Sequence, residues 1–249
     1  QRQMCIRDRS GRYRGRVQNA QGTVRKNGAR MRIKGAIFDF DGTLFDSMYI
    51  WDTAGETYLA SIGVTPRPGV NEAVCALSLS QTASYFKSEY DLEMTTAEIE
   101  EGINKMVRHF YYDLVQPKPG VREFLDLLQC NGVKRAVATA SEHDHVLAAL
   151  RRCDMEKYFD GILTCAEVGS GKDEPEIFRA CLNALGTAKS ETAVFEDAIH
   201  AARTAKRDGF VIVGVYDKSE KRAEELKALS DCYITDFCKP ETFRCFASD

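Results

Sequence analysis

Four short stretches of this chain carry residues that could do chemistry together. The first is Asp39-Phe40-Asp41-Gly42-Thr43-Leu44, directly after the apolar run Ala36-Ile37-Phe38. Strand alternation across it puts the Asp39 and Asp41 carboxylates on one face and Phe40 on the other. Two carboxylates that close repel each other unless a cation sits between them or one is protonated. A hard divalent ion with oxygen ligands, most simply Mg²⁺, removes the repulsion. Gly42 frees backbone N–H groups to approach an anion. The same letters also suit a plain acidic turn of the Asp-Gly type.

The second stretch, Thr139-Ala140-Ser141, closes the apolar run Ala136-Val137-Ala138. A hydroxyl and adjacent N–H groups at a helix N-terminus make a phosphate cradle. For Ser141, capping of the next helix is the simpler reading. The third is Lys172, after Gly169-Ser170-Gly171. A lysine on such a loop can reach a phosphate or a nucleophile as a point charge; a solvated loop lysine is the plain alternative. The fourth is Glu196-Asp197, after Ala193-Val194-Phe195. These acids either cap the following helix or complete a metal site with Asp39 and Asp41.

The elements that must hold these stretches follow from hydrophobic periodicity. Ala36–Phe38, Ala136–Ala138, Ile162-Leu163, Ala193–Phe195 and Val211–Val215 are short apolar runs, as expected of strands buried on both faces of a parallel sheet. Between them, Val121, Phe124, Leu125 and Leu128 follow helical spacing, as do Phe178, Cys181, Leu182 and Leu185, with Gly186 as a stop. The alternation predicts an α/β fold with a Rossmann-like, doubly wound parallel sheet, which binds ligands at the carboxyl ends of its strands. Residues 48–116 break the alternation. Ile99, Ile103, Met106, Val107, Phe110 and Leu114 form a helical stripe with Thr95 or Thr96 as N-cap, and Ile50, Ala54, Leu59 and Ile62 suggest another helix. The expectation is an inserted all-helical domain over 48–116, returning through Pro117-Lys118-Pro119-Gly120 to a core of 31–47 and 117–249.

Together the four stretches resemble the haloacid dehalogenase superfamily, and within it the phosphatase and phosphoglucomutase branch with a small helical cap. The likeness covers nearly all of residues 31–249. It implies that Asp39 is a nucleophile that becomes an aspartyl-phosphate, and that Asp41 is the general acid and base. It implies that Thr139, Lys172 and backbone N–H groups near Gly42 and Ala140 hold the phosphoryl oxygens. Mg²⁺ would be held by Asp39, the Asp41 carbonyl, Glu196 and Asp197. Three departures stand out. Asp173-Glu174-Pro175 follows Lys172 where the family often has Pro-x-Pro. Ala198 and Ala201 replace the Ser and Gly common after the fourth motif. Trp51 stands twelve residues after Asp39, where beta-phosphoglucomutases carry His, and residues 75–81 lack their Gly and Arg. The expected activity is hydrolysis of a small phosphorylated metabolite such as a sugar phosphate. The alternatives are a mutase, a dehalogenase, or a non-catalytic binding protein on the same fold.

The chain has 249 residues and a formal charge of −3. Residues 1–30 hold nine Lys/Arg against one acid, so the rest carries −11. A basic tail suggests a nucleic-acid or membrane arm or an organellar leader. However, Met4-Cys5-Ile6-Arg7-Asp8-Arg9 reads as a translated transposon-end sequencing adapter. Residues 1–30 are therefore expected to be disordered and non-native, with translation starting at Met31. That removes nucleic acid and membrane as partners. The nine cysteines form no C-x-x-C pair, and fit buried thiols in a reducing cytoplasm. No heptad seam is visible, so a monomer is expected.

Overall fold

The computed structural model describes residues 23–26, 29–74 and 77–239. Strands β1 (Thr23–Lys26) and β2 (Ala29–Arg32) pair antiparallel, with Arg25 opposite Arg30. Most of the tail expected to be disordered, residues 1–22 with Asn27 and Gly28, lies outside the described residues. The adapter-like run and Cys5 lie outside the described residues, as do Cys75, Ala76 and Cys245.

Six further strands are β3 (Gly35–Phe38), β4 (Lys134–Thr139), β5 (Gly161–Thr164), β6 (Thr192–Glu196), β7 (Val211–Val215) and β8 (Cys232–Ile234). They form an all-parallel sheet in the order β5-β4-β3-β6-β7-β8. This is the doubly wound α/β core expected from the apolar runs. Every residue of β3, β6 and β7 is buried, which is why these strands read as unbroken apolar runs rather than alternating ones.

The chain divides into two units, Gln1–Asp46 with Gln116–Asp249, and Ser47–Val115. The second is helical: α1 (Met48–Ser61), α2 (Val70–Val74), α3 (Leu79–Glu89) and α4 (Thr96–His109). Thr95 caps α4 and forms a reciprocal capping box with Glu98. Ile99, Ile103, Val107 and Phe110 are buried as the stripe requires, but Leu114 is 51% exposed. The helix widens into a π turn over Phe110–Leu114, closed by Val115 N–H on Phe110 O at 2.9 Å. The wider turn rotates Leu114 off the stripe and buries Tyr111 in its place. Helices α1 and α4 meet at Gly102, where a Cβ would lie 2.7 Å from Tyr58 Cε2.

Tyr58 is 1% exposed and stacks on Phe86. Its hydroxyl is buried with no hydrogen-bond partner among the described residues. A buried unpaired hydroxyl costs about 1–3 kcal/mol. Tyr58→Phe is therefore expected to stabilise the protein by about 1 kcal/mol, read as a higher urea midpoint with an unchanged slope.

In the sheet unit the helices are α5 (Val121–Cys130), α6 (His143–Arg152), α7 (Cys165–Val168), α8 (Glu176–Leu185), α9 (Ile199–Arg207) and α10 (Ala223–Leu229). On one sheet face, Ile37, Ala136, Ala138, Val194 and Ile212 pack with Phe178 and Cys181 of α8 and Ala202 of α9. On the other, Phe38 stacks on Phe195 at 4.2 Å, and both meet Phe124 of α5 edge-on. The predicted helical spacing of α5 and α8 thus supplies the apolar faces that clamp the sheet and fix the strand ends. Among the described residues no helix is long and apolar enough to cross a membrane.

Candidate active site

β3 lies between β4 and β6, and from β3 the chain winds first through β4 to β5 and then crosses to β6 on the opposite side. The crevice at such a reversal, outside the carboxyl ends of the strands, is where doubly wound sheets bind ligands. Asp39 follows β3, Thr139 ends β4, and Glu196 ends β6 with Asp197 next. Lys172 comes from the turn between α7 and α8.

Lys172 Nζ bridges Asp39 Oδ1 and, at 2.6 Å, Glu196 Oε1. Its side chain is 9% exposed, so it is not a solvated loop lysine. The second Glu196 oxygen, Oε2, accepts the Ala198 N–H at 3.2 Å. Thr43 Oγ1 donates to Asp197 Oδ1 at 3.0 Å. One oxygen each from Asp39, Glu196 and Asp197 lies within 4.8 Å of the others, and all three residues are buried.

The first motif leaves the sheet just after Phe38. β3 ends at Phe38, and the Asp39 N–H extends the ladder by one bond to Phe195 O. Beyond it the chain turns, with the N–H groups of Leu44 and Phe45 both on Phe40 O. The Glu196 and Asp197 carboxylates crowd Asp39, and Asp41 Oδ2 accepts the Ser141 hydroxyl at 2.6 Å. Gly42 lies in this turn. Its N–H donates to Phe45 O at 3.0 Å, and its φ of +76° makes the turn. Ser141 is not the cap of α6: that position is Glu142, without a side-chain bond. The Ser141 N–H instead donates to Thr139 Oγ1 at 3.0 Å. Thr139 is buried and Ala140 is exposed beside it. Sequence reasoning gave no role to Thr43, and only its place within the first motif could have suggested one. Trp51 is 46% exposed, whereas Tyr111 belongs to the core of the helical unit.

Electrostatics explain what the carboxylate cluster needs. Three carboxylates face one ammonium. Burial, with help from the neighbouring Glu196, raises the Asp39 carboxyl to about 6 even against Lys172. Burial, then Asp39 and Glu196, raise Asp197 well above the usual carboxylate range. Burial works to lower Lys172, but Asp39 and Glu196 outweigh it and hold the ammonium above the ordinary lysine range. All-oxygen donors, close spacing and a residual negative charge fit a hard divalent cation.

The raised carboxyls have a thermodynamic consequence. An acid whose pKa is higher folded than unfolded binds more protons in the fold, so stability falls as pH rises through the folded value. A bound cation offsets that loss. Added Mg²⁺ is therefore expected to raise the melting temperature more at about pH 7 than at about pH 5, the two sides of the Asp39 value. Melting curves with and without the ion at both pH values check this; an increment that does not grow with pH contradicts it.

A family profile described as "Haloacid dehalogenase-like hydrolase" matches residues 36–215. The chain belongs to this family. The phosphorylated carbohydrates phosphatase of Thermotoga maritima is 26% identical over 153 residues, 61% of this chain and 71% of that one. Hexitol phosphatase B of Escherichia coli is 26% identical over 159 residues, 62% and 71% of the two chains. In solved structures the fold recurs in a Thermotoga maritima protein carrying the beta-phosphoglucomutase name. It matches with a TM-score of 0.75 and 24% identity, over 85% of this chain and 99% of that one. It recurs also in a mutant of CbbY from Rhodobacter sphaeroides, solved in complex with xylulose-(1,5)bisphosphate, at a TM-score of 0.64 and 21% identity over 83% and 96%. Family and relatives make this haloacid dehalogenase-like chain a hydrolase of the phosphatase type.

Proposed function

We propose that the protein is a Mg²⁺-dependent phosphomonoesterase acting on a small phosphorylated metabolite, with a sugar or sugar-alcohol phosphate as the favoured class. One observation carries the reading: Lys172 bridges Asp39 and Glu196 within a buried carboxylate group that includes Asp197, and these residues and Thr139 lie at or after the carboxyl ends of adjacent strands or on the loop that reaches them. In this reading an Asp39 oxygen attacks phosphorus as the ester P–O bond breaks, and Asp41 gives a proton to the departing alcohol. Asp41 then takes a proton from water, which attacks the aspartyl-phosphate, releases phosphate and restores Asp39. Thr139, the Ala140 N–H and Lys172 hold the phosphoryl oxygens. Asp39, the Asp41 carbonyl, Glu196 and Asp197 would hold the cation, with Thr43 fixing Asp197. A bound Mg²⁺ would screen the anionic nucleophile from the anionic phosphate.

The helical unit Ser47–Val115 serves as the cap domain in this reading, and the protein works as a cytoplasmic monomer. The free thiols Cys153 and Cys181, buried as small apolar groups, suit a reducing compartment. Burial pushes the Cys181 thiol up to about 12, which keeps it unreactive.

The test is turnover of p-nitrophenyl phosphate, then of a panel of hexitol and sugar phosphates, with Mg²⁺ and with a chelator. Phosphate release that stops with chelation and returns with Mg²⁺ is expected. No release from any ester would favour a binding protein on the same fold.

A further inference from the structure

The reading above gives Ser141 no part, yet its hydrogen bonds join two pieces of the site. Its hydroxyl donates to Asp41 Oδ2 at 2.6 Å, across a separation of 100 residues. Its backbone N–H donates to Thr139 Oγ1 at 3.0 Å. Hydrogen bonds from a hydroxyl to a carboxylate at this length are among the stronger kinds. The terminal torsion of an aspartate side chain is broad, so a hydrogen bond from another loop helps to fix where the carboxyl points.

We propose that Ser141 is a positioning residue for proton transfer by Asp41. The proposal rests on the phosphomonoesterase reading and deepens it. With Ser141 donating to Oδ2, the transferable proton of Asp41 belongs on Oδ1. In the first step the bond between Asp39 and phosphorus forms and the bond from phosphorus to the leaving oxygen breaks. The proton passes from Asp41 Oδ1 to that oxygen, and the serine proton stays on Oγ. A general acid works only within hydrogen-bond reach of the oxygen it protonates. The anchor supplied from the loop after β4 therefore acts on proton delivery and not on phosphate binding. The Ser141 N–H bond to Thr139 is made by the main chain and survives any change of side chain.

That separation makes the idea testable through the leaving group. An alkyl phosphate expels a strongly basic alkoxide that needs the proton, whereas p-nitrophenyl phosphate expels a stable phenolate that does not. The measurement is kcat/KM of wild type, Ser141→Ala and Ser141→Thr on both esters. For the alkyl ester, Ser141→Ala is expected to lose about 30-fold, within the range of general acid catalysis, and for p-nitrophenyl phosphate less than about threefold. Ser141→Thr, which keeps the hydroxyl, is expected to restore the alkyl ester to within about threefold of wild type. The ratio between the two esters does not depend on how much of a variant is folded. Equal losses on both esters, or no loss on either, would overturn the role of Ser141. A wild-type protein that hydrolyses neither ester would overturn the phosphatase reading beneath it.

Discussion

Asp39→Asn is expected to lower kcat by about 10⁴-fold or more, the scale seen when a covalent nucleophile is removed. Asparagine keeps the shape and can still accept from Lys172, but it cannot form the acyl-phosphate bond. The same substitution removes one of three buried carboxylates from a cluster that holds a single ammonium. Because burial and Glu196 already oppose the Asp39 charge, the variant is expected to melt no lower than wild type without metal. Activity lost while stability is kept or gained is the signature of a residue retained for chemistry and not for folding. Steady-state kinetics and a melting curve on one preparation check both halves.

Lys172→Met is expected to fail in the opposite way, losing both. The ammonium contacts Asp39 and Glu196 from a side chain that is 9% exposed. Removing one partner of a buried ion pair typically costs about 3–5 kcal/mol, because the charges left behind have no compensation. Here part of that cost is relieved as the carboxyls, already shifted upward, take up protons, so a loss of about 2–3 kcal/mol in urea unfolding at neutral pH is expected. Turnover should fall by about 10²–10³-fold, the usual scale for one lost electrostatic contact to the transition state. Excess Mg²⁺ is expected to recover stability more than turnover. A cation can replace the missing positive charge in the cluster, but it cannot replace a donor aimed at the phosphoryl oxygens. Lys172→Arg should not rescue, since a planar fork does not fit where one ammonium touches two carboxylates.

The contrast between these variants also marks what local sequence could reveal. Apolar runs that stop at Asp39, Thr139 and Glu196 placed the chemistry at strand ends, because strands buried on both faces leave no other signal and no ambiguity of face. The spacing of Val121, Phe124, Leu125 and Leu128 gave α5 for a similar reason: one buried stripe per helix. Helix α3 escaped, although its capping box from Ser78 to Gln81 was present in the letters. Leu114 was misplaced because periodicity assumes a constant turn, and the π turn at Phe110–Leu114 adds a residue to it.

The site was harder to read than the fold. Residue types at strand ends identified Asp39, Glu196 and Asp197 as candidates, and the glycine-flanked loop identified Lys172. The bonds that define their environment join positions 133 residues apart for Lys172 and Asp39, and 154 apart for Thr43 and Asp197. No periodicity carries such pairings. They arise because the parallel sheet sets β3, β4 and β6 side by side. Asp41 is a further case. Its carboxylate meets Ser141 from the loop after β4, 100 residues away.

The most direct test of Asp39 as the phosphoryl acceptor is to catch the enzyme during turnover. Protein mixed with Mg²⁺ and excess substrate is quenched in acid within one turnover, digested, and read by mass spectrometry. The account predicts one phosphoryl group on the peptide containing Asp39, removed by hydroxylamine and absent from Asp39→Asn. Continued phosphate release with no phosphoryl group on the protein, or with the group on another side chain, would contradict it.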